Sequence, residues 1–132
     1  MHLFRAIGQQ FFLKELDISR NEIGMNMNVN KRFEQQNPKY LCYSLEYGLP
    51  ASLETVCFDE CSLSDMECEY IAYALKTRNH IQNLSLRQNC ITSEGLDYIC
   101  SALCSPSCQV DQLDVSDNQI NDNCEERLLV AL

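Results

Sequence analysis

Nine cysteines and nineteen carboxylates are the residues of this 132-residue chain with the most chemistry to offer. Cys100, Cys104 and Cys108 fall at intervals of four, and the first two share a face if they lie on a helix. Thiolates arranged in that way bind zinc only where a turn brings them together. Pro106 ends such a helix and carries Cys108 off the line. Cys57 and Cys61 straddle a strand-like segment, where one side chain faces out and the other in. No metal set and no cofactor is expected from these positions.

Catalytic arrangements are equally scarce. Both histidines, His2 and His80, lack a nearby serine or cysteine in a nucleophile–base pattern. Gly95 reads as an isolated glycine in the loop before a helix, with no phosphate-cradling motif around it. A non-enzymatic protein is therefore expected. The N-terminus has no charged segment followed by an apolar run of leader length, and the cysteine count is odd. Both point to free thiols in a reducing, cytoplasmic setting.

Charge excludes further classes. The formal net charge is −9, and residues 53–132 alone carry −10 while residues 1–52 carry +1. Nucleic-acid binding needs clustered cations to replace phosphate counterions, so no nucleic-acid partner is expected. No run approaches the ~20 apolar residues of a membrane span, so no membrane role is expected either.

The elements that must position these side chains emerge from self-comparison of the chain. Four segments share one pattern: Leu13, Leu16, Ile18, Asn21, Ile23; Leu53, Val56, Phe58, Cys61, Leu63; Ile81, Leu84, Leu86, Asn89, Ile91; and Val110, Leu113, Val115, Asn118, Ile120. Sixteen of sixteen apolar slots are filled, a chance of about 3 in a million at this composition before the choice of register is allowed for.

The stretches between repeat as well, with an i, i+4 apolar pair whose second member directly follows a small residue: Ile71/Leu75 with Ala74, Ile99/Leu103 with Ala102, and likewise Leu41/Leu45, Leu3/Ile7 and Leu128/Leu132. Positions four apart share a helix face, so each unit is a short strand followed by a helix. Ser64 and Glu67 have capping-box spacing, Asn37-Pro38 reads as a helix start, Gly48 with Pro50 as its stop, and Ser105-Pro106 as another.

The domain reading is a single array over 1–132. It comprises a partial helical half-repeat at 1–12, a repeat at 13–52 with an insertion near 24–37, repeats at 53–80 and 81–109, and a terminal partial repeat at 110–132. With no recognisable polar cap at either end, the chain is expected to form part of a longer array or to self-associate end to end.

The pattern LxxLxLxx(N/C)x(L/I), in units of 28–29 residues, resembles the ribonuclease-inhibitor-like class of leucine-rich repeats. That resemblance implies an α/β solenoid, a horseshoe segment of about four repeats with parallel strands on the concave face and helices on the convex face. It covers nearly the whole chain but is poorly specific for function, since the class serves inhibitors, innate immune receptors, GTPase-activating proteins and actin-capping proteins.

The Asn/Cys slot is structural in this reading: Asn21, Asn89 and Asn118 would satisfy backbone groups where each strand turns, with Cys61 as a small substitute. Strand residues that avoid the core face the concave side. The candidate partner-binding residues are therefore Glu15, Asp17 and Arg20; Asp59 and Glu60; Asn83, Ser85 and Arg87; and Gln112, Asp114 and Asp117. The expected function is a scaffold that binds a protein partner on this strip, with a basic partner favoured by its acidic balance. The alternatives are a regulator of a small GTPase, of GTPase-activating type, and a fragment of a larger leucine-rich-repeat protein.

Overall fold

The computed structural model describes residues 12–21, 52–77 and 80–121. Within them the order is β1 (Glu15–Asp17), β2 (Thr55–Cys57), α1 (Asp65–Thr77), β3 (Asn83–Ser85), α2 (Ser93–Leu103) and β4 (Gln112–Asp114). The helices expected around Leu3/Ile7, Leu41/Leu45 and Leu128/Leu132, and the insertion at 24–37, lie outside the described residues.

The four strands form one parallel sheet in sequence order. Leu16, Val56, Leu84 and Leu113 stand directly abreast in it. Successive strands thus repeat at 28 and 29 residues, and at 40 across the first unit. This is the register expected from the repeat, and it follows from the pleat: any slip by one residue would turn every core leucine to solvent.

Each strand has only three residues because the chain needs little more to place one side chain in the core and two on the open face. Hydrogen bonding nevertheless continues past the strand ends, with Arg20 N–H to Asp59 O, Glu60 N–H to Arg87 O, and Gln88 N–H to Ser116 O at 2.8–3.0 Å. At that point the backbone turns sharply. Arg20, Glu60, Gln88 and Asp117, one per repeat, all adopt the left-handed conformation with φ of 53–63°. Non-glycine residues pay for that conformation, of order 1–2 kcal/mol each. What holds them there is the residue that follows in every unit.

That residue is the Asn/Cys slot. The buried Asn89 accepts the Cys61 and Leu63 N–H groups on Oδ1 at 2.9 and 3.0 Å and donates through Nδ2 to the carbonyls of Phe58, Leu86 and Arg87. Asn118 repeats the arrangement, accepting Ile91 N–H and donating to Leu86, Val115 and Ser116. Asn21 donates to Ile18 and Ser19. Cys61 offers its thiol to the Ile18 and Asp59 carbonyls at 3.4 Å. One side chain thus satisfies backbone groups of two adjacent repeats that have left the ladder.

The core lies between the sheet and the helices. Val56, Phe58, Leu63, Leu86, Ile91 and Leu96 are almost fully excluded from solvent, as are Ile71, Leu75 and Ile99 from the helices. Ala74 and Ala102 are buried at the small-residue positions. The corresponding residues of the fourth unit, Val110, Leu113, Val115 and Ile120, are half-buried and pack against the same core.

The helices are capped partly in an unforeseen way. Ser64 precedes α1, and both its N–H and its hydroxyl donate to Glu67 Oε2 at 2.6 Å, so the buried Glu67 closes the first turn. Thr92 caps α2. The first residue of α1, Asp65, reaches across to that cap: its carboxylate accepts Thr92 N–H, Thr92 hydroxyl and Gly95 N–H at 2.8, 2.6 and 3.0 Å. Gly95 therefore lies inside α2, third from its start, and not in a preceding loop. A Cβ there would fall 2.3 Å from Asp65 Oδ1.

Candidate interaction face

Side chains that alternate away from the core line the open face of the sheet in rows that cross the repeats. The first row is Glu15, Thr55, Asn83 and Gln112, and the second is Asp17, Cys57, Ser85 and Asp114. Continued pairing beyond the strands sets a third row of Ser19, Asp59, Arg87 and Ser116 and a fourth of Arg20, Glu60, Gln88 and Asp117. The expected strip is thereby assembled on one face, with a change of detail. Arg20, Asp59, Glu60, Arg87 and Asp117 belong to the turn after each strand and not to the strands, because the left-handed residue ends the extended backbone early.

This separates the acidic side chains into two groups. Those of the turn are engaged internally. Asp59 Oδ1 accepts the Ser85 hydroxyl at 2.6 Å and the Arg87 N–H at 2.9 Å. Arg87 Nε lies 3.2 Å from Asp117, and Arg20 Nε 3.6 Å from Glu60. Those pairs are exposed and contribute little to stability individually. In the first row Asn83 Nδ2 donates to Thr55 Oγ1 at 3.1 Å, which ties β2 to β3 on the open side.

The strand aspartates are held differently. Asp17 Oδ1 accepts the Ser19 N–H, and Asp114 Oδ1 accepts both the N–H and the hydroxyl of Ser116. The serine side chain, then its N–H, holds each carboxyl below its ordinary range, with smaller contributions from the Cys57 thiol and Arg20 at Asp17 and from Arg87 at Asp114. Both are therefore ionised at neutral pH and fixed in direction. The Asp-x-Ser spacing recurs at 17–19 and 114–116, a signal legible in the sequence but not singled out by the repeat pattern.

Cys57 sits half-buried in the middle of the face with its sulfur 3.0 Å from Ser19 Oγ, and burial pushes its thiol pKa up. Cys61 points inward and is buried, as the alternation requires. Cys100 is buried while Cys104, one turn on, is exposed. Among the described residues no group of three or more His, Cys, Asp or Glu side chains is placed to hold a metal ion. His80 is exposed at the entry to β3. No described helix is long and apolar enough to cross a membrane.

Short parallel strands abreast at a 28–29-residue period, an internal Asn/Cys ladder and helices on the opposite side define a leucine-rich-repeat solenoid. The Leucine Rich repeat family model matches residues 9–25 and 78–100. Along almost its full length the chain is similar to NACHT, LRR and PYD domains-containing protein 9C of Mus musculus, at 29% identity over 134 residues, 99% of this chain and 12% of that protein. It is similar to NACHT, LRR and PYD domains-containing protein 14 of Mus musculus at 26% identity, covering 98% of this chain and 13% of that protein. Ribonuclease inhibitor of Sus scrofa is 24% identical over 96% of this chain and 25% of its own length. The repeats are of the ribonuclease-inhibitor-like type, and the chain spans a quarter or less of the length of these relatives.

Proposed function

We propose that the chain is a non-catalytic, cytoplasmic protein-binding scaffold whose concave face docks a protein partner of basic character. The observation that carries this reading is the second concave row, where Asp17 and Asp114 are ionised, exposed and held in fixed directions on a rigid sheet. Preorganised charge steers a partner of opposite sign and loses little side-chain entropy on contact. A surface this polar has few aromatic anchors, so electrostatics sets the approach of the partner more than apolar burial does. The name of one relative, ribonuclease inhibitor, describes action on another protein and agrees with this reading.

The test is affinity capture from lysate with identification by mass spectrometry, comparing the native chain with Asp17→Lys/Asp114→Lys. These positions suit the test better than Asp59, which also bonds the Ser85 and Arg87 groups and would perturb the turn. Loss of a specific partner on reversal, and weakening of that complex by salt, is the expected outcome. Undiminished capture identifies the concave strip as a solvated face only. If the captured partner is a GTPase, accelerated nucleotide hydrolysis would distinguish a regulator from a simple binder.

A further inference from the structure

Every joint between repeats uses the same groups, and each end of the described sheet holds one half of another. Where β4 joins β3, Leu86 N–H donates to Asp114 O and Gln88 N–H to Ser116 O, while Asp111 and Gln112 N–H converge on Gln82 O, all at 2.8–3.0 Å. One repeat on, the counterparts of the β3 groups are Val115 N–H, Asp117 N–H and Asp111 O, and none of them bonds a described residue. The β1 counterparts of the β4 groups, Lys14 and Glu15 N–H and Asp17 O, are open in the same way. The asparagine ladder is unfinished too. Asn89 and Asn118 each take an N–H of the preceding repeat on Oδ1 and donate to one of its carbonyls. Among the described residues Asn21 bonds only its own turn, at Ile18 and Ser19, and its Oδ1 accepts nothing. At the opposite end the N–H of Ile120, the counterpart of Ile91, has no described acceptor either.

Apolar surface and charge mark the same two edges. Leu113, Val115 and Ile120 are only half-buried beside β4, where Leu84, Leu86 and Ile91 of the repeat before are buried. Phe12, at the entrance to β1, is 92% exposed. Residues 1–52 carry +1 and residues 53–132 carry −10, so one end complements the other. We propose that the chain self-associates head to tail, β1 of a second copy adding in parallel to β4 in the register Gln112–Glu15, Leu113–Leu16 and Asp114–Asp17. This goes beyond the docking reading and does not depend on it. Val115 N–H then donates to Asp17 O of the second copy, and Asp111 O accepts its Lys14 and Glu15 N–H groups. Asn21 of that copy takes Ile120 N–H on Oδ1 and donates to Val115 O, which completes the ladder. Arg20 of the second copy comes beside Asp117, as Arg20 already stands beside Glu60 within the chain. Asp114 beside Asp17 is the one like-charge pair in this register.

The experiment follows the weight-average mass of the 132-residue chain by sedimentation over about a hundredfold range of concentration. The mass is expected to rise from 15.2 kDa past that of a dimer, because a head-to-tail contact leaves both edges free for the next copy. Asn21→Ala should weaken association about tenfold, the equivalent of one or two hydrogen bonds. Asp17→Asn, which relieves the repulsion with Asp114, should strengthen it about threefold. Arg20 and Asp117 occupy equivalent left-handed positions, so each site already accepts the other's residue type. Arg20→Asp and Asp117→Arg should therefore each associate poorly alone and regain association when mixed, since the exchanged charges then meet as opposites. Circular dichroism confirms that each variant is folded. A chain that stays monomeric at every concentration, a mass that stops at the dimer, a mixture that does not recover, or association indifferent to Asn21→Ala overturns the head-to-tail contact. The concave docking reading is judged separately, by capture with Asp17→Lys/Asp114→Lys.

Discussion

Asp65 at the start of α1 and Gly95 inside α2 are thirty residues apart in sequence and 3.0 Å apart through a hydrogen bond. The carboxylate of one repeat thus caps the helix of the next, where the first N–H groups have no partner of their own and a negative charge is favoured. The start of α2 is thus completed by the preceding repeat, whereas α1 is closed within its own repeat by Ser64 and Glu67.

Gly95→Ala is the direct test of that joint. Helix propensity alone predicts a gain of about 1 kcal/mol, since alanine is the better helix former. The structure predicts a loss, because the new methyl would meet Asp65 Oδ1 at 2.3 Å and the Asp65 backbone at 3.1 Å. Denaturant unfolding should show Gly95→Ala less stable than native by about 1–3 kcal/mol. In Asp65→Ala, which removes the cap and the contact with Oδ1 but leaves those with the residue 65 backbone and Ile91, the same substitution should cost less. Additive effects would mean that the two residues are not coupled.

Asn89→Ala strips partners from the Cys61 and Leu63 N–H groups and from carbonyls of Phe58 and Leu86 at once. Each buried group left unsatisfied costs about 1–3 kcal/mol, so a loss of at least about 3 kcal/mol is expected. Retention of the native unfolding midpoint would refute the ladder's energetic role.

Thiol reactivity should follow exposure and ionisation. Cys90 and Cys104 are exposed, whereas Cys61, Cys68 and Cys100 are buried. Burial, aided by the charges of Asp65 and Glu67, pushes the Cys68 pKa up to about 12. Because the thiolate is the nucleophile, iodoacetamide at pH 8 should, among the described cysteines, label Cys90 and Cys104 first and Cys68 only on unfolding. Peptide mass spectrometry of the time course checks this, and early labelling of Cys68 would contradict the packing of α1.

Acid should weaken the fold in part through Asp17 and Asp114. Their folded pKa values lie below the unfolded one, so the folded state binds fewer protons there. Their contribution is complete above the unfolded value of about 3.9 and is lost as pH falls through the lowered folded value. Both side chains are largely solvated, which keeps the effect small. Asp17→Asn/Asp114→Asn should show a shallower loss of stability between pH 5 and 2 than the native chain, measured by urea unfolding across that range. An identical acid limb would show that the serine bonds carry no linkage.

Much of this protein was legible before any coordinates. Leu16, Val56, Leu84 and Leu113 could be set abreast from the sequence because a strand's period of two and a helix's period of 3.6 leave distinct apolar patterns, and repetition multiplies each weak signal. Asn89 and Asn118 could be assigned to structure for the same reason, since their spacing from the core leucines places them where the ladder ends. The strand members of the candidate strip, Glu15, Asp17, Asn83, Ser85, Gln112 and Asp114, followed from alternation.

What tertiary structure alone decided is which of those polar side chains are already occupied. Asp59 is bound to Ser85 and Arg87 through contacts between residues 26 and 28 positions apart that no local pattern encodes, whereas the carboxylate of Asp114 turns to Ser116, two residues on. The Asp65–Thr92–Gly95 joint is of the same kind, as are the left-handed turns at Arg20, Glu60, Gln88 and Asp117, which no glycine marks in the sequence. Periodicity fixes the direction in which a side chain points, because that is a property of one strand. The group that it meets is a property of two, and only the stacking of one repeat on the next brings that group within reach.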